Sequence, residues 1–291
     1  MIDRVLRLYP AGYRSAYGEE IIDVHREMTA GMPRAARLRA DADLAGHALR
    51  VRLGLDSASR GGRFFAMAAP FALAVAALGN GLVLTRWYAG LVTSAAPAWT
   101  QLIHTDAPWG LHYLLALLVC IGAVVALSGR WVPGVTAVVC GLLGHVGQWV
   151  TAPQLTDRSL VTPVAALLTI AVVLACPGDR RPGRELSAVA GAVAGIGWFP
   201  VVAVEAGALG VSTDYGAWPV LVLAAAGFAL ALRQRSSGVR EIGAMTVAAL
   251  PLIAGASTWA STDPWPFVGL LLVLPLSGAL TAGVQAVRRR R

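Results

Sequence analysis

Several polar side chains lie inside long apolar stretches of this chain, where a charged or unpaired group is costly. His145 and Gln148 are three residues apart, on the same helix face as Gly141 and Gly144, and this spacing predicts a close contact with a second helix. One interpretation is a ligand or proton site within a helix bundle. The alternative, which we favour, is a hydrogen bond between helices, because such residues commonly join helices in this way.

Glu205 is another candidate, because it is a lone carboxylate in an apolar stretch behind Trp198 and Pro200. It could bind a cation or a proton, form an ion pair with Arg86 at the end of another apolar stretch, or extend into water. These three interpretations stay open. His112 is a weaker candidate of the same kind.

No catalytic motif accompanies these residues. The chain lacks the H-E-x-x-H, G-x-S-x-G and Walker A patterns, and no apolar stretch contains a D-x-x-x-D pair. Cys120, Cys140 and Cys176 lie in apolar stretches without C-x-x-C spacing, which indicates packing residues rather than metal ligands or disulfides. We therefore expect no catalytic residue, no metal site and no cofactor, with an enzyme kept open as a lesser alternative.

The composition indicates that most of the chain belongs in lipid. Of 291 residues, 56% are hydrophobic and only 14% are charged, whereas about a quarter of the residues in a soluble domain are charged. The net charge is +8, and all 24 basic residues are arginine. These arginines lie at the ends of apolar stretches and in the N-terminal region, so we expect no nucleic-acid partner.

Eight apolar stretches each approach the roughly 20 residues that a helix needs to span a bilayer. The predicted fold is therefore all-α: a polytopic membrane helix bundle of about eight transmembrane helices over residues 61–291, behind a cytoplasmic helical module in residues 1–60. No secretory signal is expected, because the first long apolar stretch begins near Phe64, behind a charged region. The predicted spans are residues 64–86, 109–128, 131–151, 160–177, 188–209, 215–232, 242–260 and 266–287.

The distribution of arginine predicts the orientation of these spans. With the N-terminus in the cytoplasm, the outer connections contain only Arg86 and Arg158, and the other loop arginines all fall inside. Tryptophan and tyrosine cluster at the outer ends, as in an aromatic belt. We expect a multi-pass protein of the cell membrane with both termini in the cytoplasm. The inner arginines are Arg130, Arg180, Arg181, Arg184, Arg233, Arg235, Arg240 and Arg288 to Arg291.

A Thr-Asp pair followed by proline recurs four times along the chain. At a helix start, a short polar acceptor can satisfy unpaired N–H groups, and proline fits the first turn. The recurrence predicts four parallel helical hairpins. The alternative is that short outer turns select these residues without any duplication. The pairs are Thr105-Asp106, Thr156-Asp157, Thr213-Asp214 and Thr262-Asp263.

The predicted outer loop from Trp87 to Pro108 is much longer than the other three. One turn of helix around Trp99 could lie at the membrane surface. Long loops on compact proteins are often functional. Trp99, His104 and Asp106 are therefore candidates for a site on this loop.

Two amphipathic helices are predicted in residues 1–60. The second helix, from about residue 34 to 53, places Leu38 and Leu49 on an apolar face and pairs Arg37 with Asp41 by i, i+4 spacing. Each helix needs a partner surface, which could be the other helix, the membrane or another protein. The first helix ends near Gly31, and its apolar stripe consists of Tyr13, Tyr17, Ile21, Val24 and Met28.

This region also resembles a known signature. Leu8-Tyr9-Pro10, Tyr13-Arg14 and Tyr17-Gly18-Glu19-Glu20 match L-Y-P-x-x-[WY]-R-x-x-Y-G-x-E, which opens many actinobacterial integral membrane proteins and is similar to the cytoplasmic permease prefix of some transporter permeases. The resemblance implies a regulatory or docking module. A folded cap with no signalling role is the alternative. The partner-docking residues that the resemblance implies are Tyr9, Tyr13, Arg14, Tyr17 and Glu20.

Three functions are compatible with these features. The one we favour is a membrane-embedded sensor or regulatory component that signals to a cytoplasmic protein through residues 1–60. A transporter or permease-type subunit would instead use His145 and Glu205, and active transport would need an ion gradient or a separate ATP-binding subunit. The third is a structural or assembly protein, and a homo-oligomer is compatible with each.

Overall fold

The computed structural model describes residues 5–152, 160–178, 183–205, 217–234 and 238–257, with residues 273, 275–280, 283 and 287. Over these residues the secondary structure is helical and no strand occurs. The chain divides into two compact units. The first is Met1–Ala66 with Ala175–Arg180, and the second is Met67–Leu174 with Arg181–Arg291.

The first unit contains helices α1 (Ala11–Thr29) and α2 (Arg34–Arg52), close to the predicted bounds. Pro10 and Pro33 immediately precede them, where the fixed φ of proline favours the start of a helix. Gly31 adopts a φ of 76° in the connection, a conformation that side chains other than glycine rarely take. The core of this unit is formed by Leu6, Tyr9 and Ala48, against which Tyr13, Ile21, Ile22, Leu44 and Val51 pack.

The buried face of α2 differs from the predicted one. Leu38 and Leu49 are 59% and 52% exposed, whereas Asp41 is buried. Asp41 Oδ1 lies 3.0 Å from His25 Nε2 of α1, so the predicted pair between Arg37 and Asp41 is wrong. A buried His–Asp hydrogen bond satisfies two polar groups at once, while an exposed Arg–Asp pair contributes little.

A hydrogen-bonded turn connects α2 to α3 (Arg60–Thr93). Ser59 Oγ accepts from the Gly62 N–H at 2.8 Å and donates to the Gly54 carbonyl at 2.6 Å. The Ser59 N–H donates to Asp56 Oδ1 at 2.6 Å. A Cβ on Gly62 would overlap the Asp56 carbonyl oxygen. The turn therefore depends on glycine at this position and holds the start of α3 in one conformation.

The second unit contains the rest of α3 and seven further helices among the described residues. By length and composition, α3, α5 and α6 could each cross a membrane, and α7 and α9 are shorter apolar helices. Most of the predicted span at residues 266–287 lies outside the described residues. The Thr-Asp pairs at residues 156–157, 213–214 and 262–263 lie wholly outside them. The helices are α4 (Ala98–Ile103), α5 (Ala107–Leu127), α6 (Trp131–Thr151), α7 (Val161–Leu174), α8 (Arg184–Glu205), α9 (Ala217–Gln234) and α10 (Val239–Ser257).

Glycines allow α5 and α6 to approach each other closely. A Cβ on Gly141 would lie 2.6 Å from Val119 Cγ2, and a Cβ on Gly134 would overlap the backbone of Ala126. A Cβ on Gly144 would lie 2.5 Å from Leu115 Cδ2. Backbones this close gain van der Waals contact along the whole hairpin. The close contact predicted for the Gly141 face is therefore present.

Helix α3 runs through the core of the second unit, where Phe71 is completely buried. Helix α8 lies against it, because Trp198 Nε1 donates to Thr85 Oγ1 at 2.8 Å. Trp218 Nε1 of α9 donates to the Ile196 carbonyl of α8, also at 2.8 Å. These bonds hold α8 between α3 and α9.

The region predicted as a long loop is largely helical. α3 continues to Thr93, beyond the expected end at residue 86, and α4 occupies Ala98–Ile103. Only residues 94–97 and 104–106 lie between helices here. The physical reason is that no proline lies between the expected end at residue 86 and Pro97, so the helix can go on pairing its backbone groups internally.

Candidate functional site

An open cavity of about 850 Å³ lies between the last turns of α3, helix α4 and the first turns of α5. We call it the α3–α5 cavity. Four residues predicted separately from the sequence line it together: Arg86, His104, Asp106 and His112. Its other polar lining residues are Gln101 and Thr105, its remaining aromatic ones are Trp87, Trp109 and Tyr113, and its apolar wall contains Val83, Gly90 and Leu91.

Aromatic rings form one side of the cavity. Trp87 of α3 stacks on Tyr113 of α5, with ring centroids 4.7 Å apart. Trp109 lies 6.0 Å from Tyr113, and His112 lies 5.9 Å from the same ring. Trp109 and Tyr113 were not predicted as site residues. The signal that could have identified them is that His112 and Tyr113 follow Trp109 by three and four residues, which places both beside Trp109 on the helix surface.

Asp106 occupies the position before α5 but makes no side-chain bond to the helix N-terminus. The predicted helix start is confirmed, with Asp106 at the N-cap and Pro108 in the first turn, but the predicted capping hydrogen bond from Asp106 is absent. Thr105 Oγ1 instead donates to the Gln101 carbonyl at 2.8 Å, and Gln101 Nε2 donates to the Ala96 carbonyl at 3.0 Å. These bonds hold α4 against its flanking loop, and the Asp106 carboxylate lines the cavity.

Behind the cavity wall, His112 contacts His145 of α6, with ring centroids 4.8 Å apart. Gln148 Nε2 donates to the Pro108 carbonyl of α5 at 2.9 Å, which confirms a hydrogen bond between helices at Gln148. Within the part of the chain that the structure describes, the buried atoms His145 Nε2 and Gln148 Oε1 have no hydrogen-bond partner. Unsatisfied buried polar atoms are rare in folded proteins and call for an explanation.

One candidate of the predicted outer loop does not line the cavity. Trp99 lies on α4 with its side chain 64% exposed and outside the lining. Glu205 is the last residue of α8, and its side chain falls outside the described part of the structure. Its roles as an ion ligand or as a partner of Arg86 therefore stay predictions.

The first unit has an open groove of about 600 Å³ between α1 and α2, which we call the α1–α2 groove. Four of the predicted docking residues line it, while Arg14 is exposed and lies outside the lining. Its exposed apolar rim includes Val24 and Met28, with exposed fractions of 46% and 57%. The docking residues in the lining are Tyr9, Tyr13, Tyr17 and Glu20.

Stacked tyrosines form one end of this groove. Tyr9 stacks on Tyr13 at 5.3 Å between ring centroids, and Tyr13 lies 5.0 Å from Tyr17. The Tyr9 hydroxyl lies 2.8 Å from His47 Nδ1. Burial, and then the neighbouring Tyr13, raises the pKa of Tyr9. The hydroxyl therefore stays protonated near neutral pH, and the tautomer of His47 decides which of the two groups donates.

The charged side chains of the groove are acidic. Among the described residues that line it, Glu20 and Asp43 are the carboxylates, and no arginine is present. His25 and His47 are the histidines of the lining. The groove therefore favours an apolar ligand surface that carries basic groups.

Glu241 is a buried carboxylate of the second unit that was not predicted as a site residue. The Glu241 side chain is 0% exposed, and its Oε1 lies 3.1 Å from Arg240 Nη2. An acid beside an arginine at a helix start is typical of an exposed helix end, so the sequence carried no signal of this burial. An ion pair between Glu185 of α8 and Arg233 of α9 lies in the same unit.

Comparisons of this chain with protein-family models, curated proteins and solved structures found no match.

Proposed function

We propose that this chain is an integral membrane sensor, which binds a ligand in the α3–α5 cavity and signals through α1 and α2. Support for the membrane comes from the three helices that are long and apolar enough to cross it. The eight apolar stretches and the arginine distribution support a multi-pass arrangement with the N-terminal helices in the cytoplasm. In this arrangement the cavity opens on the outer side.

The observation that carries the proposal is the mixed lining of the α3–α5 cavity. It brings together Arg86, His104 and Asp106, which are polar, with a wall of aromatic rings. A concave site with a few convergent polar groups and much aromatic surface is typical of small-molecule binding. Its volume of about 850 Å³ lies within the range of such sites.

Helix α3 supplies a physical route from the cavity toward the N-terminal helices. Arg86 and Trp87 lie near its end and line the cavity, while its start is held by the turn around Ser59. The helix comprises 34 residues and contains Pro70. We expect a ligand-induced change in α3 to be passed on at the turn around Ser59, which is fixed by hydrogen bonds.

The output surface in this proposal is the α1–α2 groove. Its floor and rim are apolar, and its carboxylates are Glu20 and Asp43. We propose that it receives an amphipathic helix of a cytoplasmic protein, with apolar residues in the groove and basic residues toward the two carboxylates. The sequence resemblance to a permease prefix supports a docking role for this segment.

The test compares partner capture by variants of the full chain, crosslinked in native membranes and quantified by mass spectrometry. Met28→Glu places a charge on the apolar rim, where the side chain is already 57% exposed, so we expect at least about a tenfold loss of the partner. Gly90→Trp fills the α3–α5 cavity at a position where a Cβ meets nothing within 4 Å. For a sensor, we expect it to change recovery of the same partner several-fold.

Leu38→Glu is the matched control for Met28→Glu, because Leu38 is 59% exposed and lies outside the groove lining. It should leave capture unchanged. If Gly90→Trp and Met28→Glu both capture the same proteins as the wild type, the sensor proposal is wrong. Loss with Met28→Glu alone would indicate a docking protein that senses nothing through this cavity.

Topology can be tested by cysteine labelling in cells, in a background in which the three native cysteines are replaced by alanine. We expect Ala96→Cys, between α3 and α4, to react with a membrane-impermeant maleimide in intact cells. Ser128→Cys, at the end of α5, should react only after permeabilisation. Both positions are exposed. Equal labelling of the two in intact cells would contradict the proposed orientation.

A transporter is the second candidate, and the observation that favours it is the buried His145 Nε2, which has no hydrogen-bond partner among the described residues. Such an atom inside a membrane-spanning helix could carry a proton. In proteoliposomes with an internal pH-sensitive dye, a proton-coupled transporter should collapse an imposed pH gradient, and His145→Ala should abolish this flux. Gradient decay equal to that of empty liposomes would count against transport.

A further inference from the structure

We infer that Met28 and Met32 form an oxidation switch on the α1–α2 groove, through which peroxide controls docking of the cytoplasmic partner. The inference rests on the proposed function, because it names how the same docking surface is regulated. Both residues line the groove. Oxidation of their thioethers to sulfoxides makes this part of the groove polar and releases the partner.

The accessible methionines among the described residues both belong to this groove. Met28 and Met32 are 57% and 39% exposed. The other described methionines, Met67 and Met245, are 8% and 0% exposed and lie in the second unit. Oxidation of a side chain depends on the access of the oxidant to the reacting sulfur. A diffusible oxidant therefore reaches the two groove methionines first.

In the reduced state, these two side chains give the groove an adaptable apolar surface. Met28 lies in the last turn of α1, and Met32 lies in the connection that leads to α2. Both are therefore at the end of α1 that is away from the stacked tyrosines. A thioether side chain is unbranched and has three rotatable bonds, so it can fit apolar partner residues of different shapes.

The oxidation step transfers one oxygen atom from hydrogen peroxide to the methionine sulfur. A lone pair of the sulfur forms the new S–O bond, the O–O bond breaks, and the second peroxide oxygen leaves as water. The sulfur loses two electrons and the peroxide gains them. A methionine sulfoxide reductase reverses the change, with two thiols oxidised to a disulfide and one water released.

A sulfoxide at Met28 or Met32 opposes docking for a physical reason. Its oxygen accepts hydrogen bonds, whereas the partner side chains that enter the groove in the proposed complex are apolar. Burial of a polar group without a hydrogen-bond donor costs free energy. The groove carboxylates, Glu20 and Asp43, cannot compensate, because an ionised carboxylate only accepts hydrogen bonds.

The first measurement is the site of oxidation, by peptide mass spectrometry of the full chain in nanodiscs treated with dilute hydrogen peroxide. We expect Met28 and Met32 to convert to sulfoxide at least about tenfold faster than Met67 and Met245. Conversion of all four methionines at one rate would overturn the inference. This measurement involves no partner, so its result does not depend on the proposed function.

The second measurement is partner capture in native membranes, before and after the same peroxide treatment. The partner is defined as a protein that the wild type and Leu38→Glu both capture and that Met28→Glu loses. We expect oxidation of the wild type to lower recovery of this protein at least about fivefold. Treatment with a methionine sulfoxide reductase and a thiol should restore recovery, and failure to restore it would contradict a switch.

The matched control is the double variant Met28→Leu/Met32→Leu. Leucine keeps a similar apolar volume and cannot form a sulfoxide, so the variant should capture the partner equally with and without peroxide. If peroxide abolishes capture by this variant as well, the effect lies elsewhere and the inference is wrong. Unchanged capture by wild type with both methionines oxidised would show that they scavenge oxidant without controlling docking, which also overturns it.

The outcomes separate this inference from the proposed function. Loss of the partner with Met28→Glu, but not with oxidation, would support the docking groove and contradict the switch alone. Selective oxidation of Met28 and Met32, with no protein lost by Met28→Glu, would contradict the docking role of the groove and the switch together.

Discussion

Replacing Gly134 with alanine should destabilise the second unit by about 3 kcal/mol, the upper part of the usual range for overpacking a core. The added methyl group would overlap the backbone of Ala126 on α5. Because these are backbone atoms, they cannot move aside as a flexible side chain can, and the hairpin of α5 and α6 must separate. In thermal unfolding of the full chain in nanodiscs, the midpoint should fall by about 6 to 12 °C.

Two substitutions on the same helix calibrate this effect. Gly147→Ala is the control, since a Cβ there meets nothing within 4 Å, and its midpoint should match that of the wild type. Gly144→Ala should have an intermediate effect, because the added methyl meets the side chain of Leu115, which can adjust. If Gly134→Ala unfolds at the same temperature as Gly147→Ala, the result would contradict the close approach of α5 and α6 at Gly134.

Replacing Asp41 with alanine should weaken the pairing of α1 with α2 by about 3 kcal/mol, because it leaves the buried His25 ring without its partner. His25 and Asp41 are only 7% and 8% exposed, so water cannot replace the lost hydrogen bond. In the full chain, amide exchange in α1 and α2 should accelerate by about a hundredfold if these helices open together.

Asp23→Ala is the matched control. Asp23 forms an ion pair with Arg26 within α1, and both side chains are 76% exposed. Exposed pairs of this kind contribute about 0 to 1 kcal/mol to stability. Its exchange should therefore stay close to that of the wild type. Equal exchange in Asp41→Ala and Asp23→Ala would show that the His25–Asp41 bond does not hold the two helices together.

The sequence predicted the helices of the first unit well, because their limits depend on local signals. Proline precedes both α1 and α2, and Gly31 separates them. The same sequence misplaced the partner of Asp41. A spacing of four residues indicates which side chains share a helix face, but the choice between Arg37 and His25 depends on how α2 is rotated against α1.

The residues of the α3–α5 cavity were predicted one by one, on unrelated grounds. Arg86 was the end of a predicted span, His104 and Asp106 belonged to a predicted loop, and His112 was a polar residue in an apolar stretch. The structure brings all four to one cavity. Trp109 and Tyr113 were assigned to an aromatic belt, because tryptophan and tyrosine are common at membrane surfaces and carry no signal of a site by themselves.

The sequence by itself determined that this is a helical chain with several stretches apolar enough to cross a membrane, because composition and spacing act over a few turns of one helix. Only the tertiary structure decided which polar groups meet. Glu241 is buried, His25 pairs with Asp41, and Arg86 lies in the same cavity as Asp106. Each of these arrangements depends on how separate helices pack together, and the path of the chain between those helices cannot be read from the sequence. Which side chains meet depends on how far each helix is rotated and how closely it approaches its neighbour. Close packing between helices, as at Gly134, determines both.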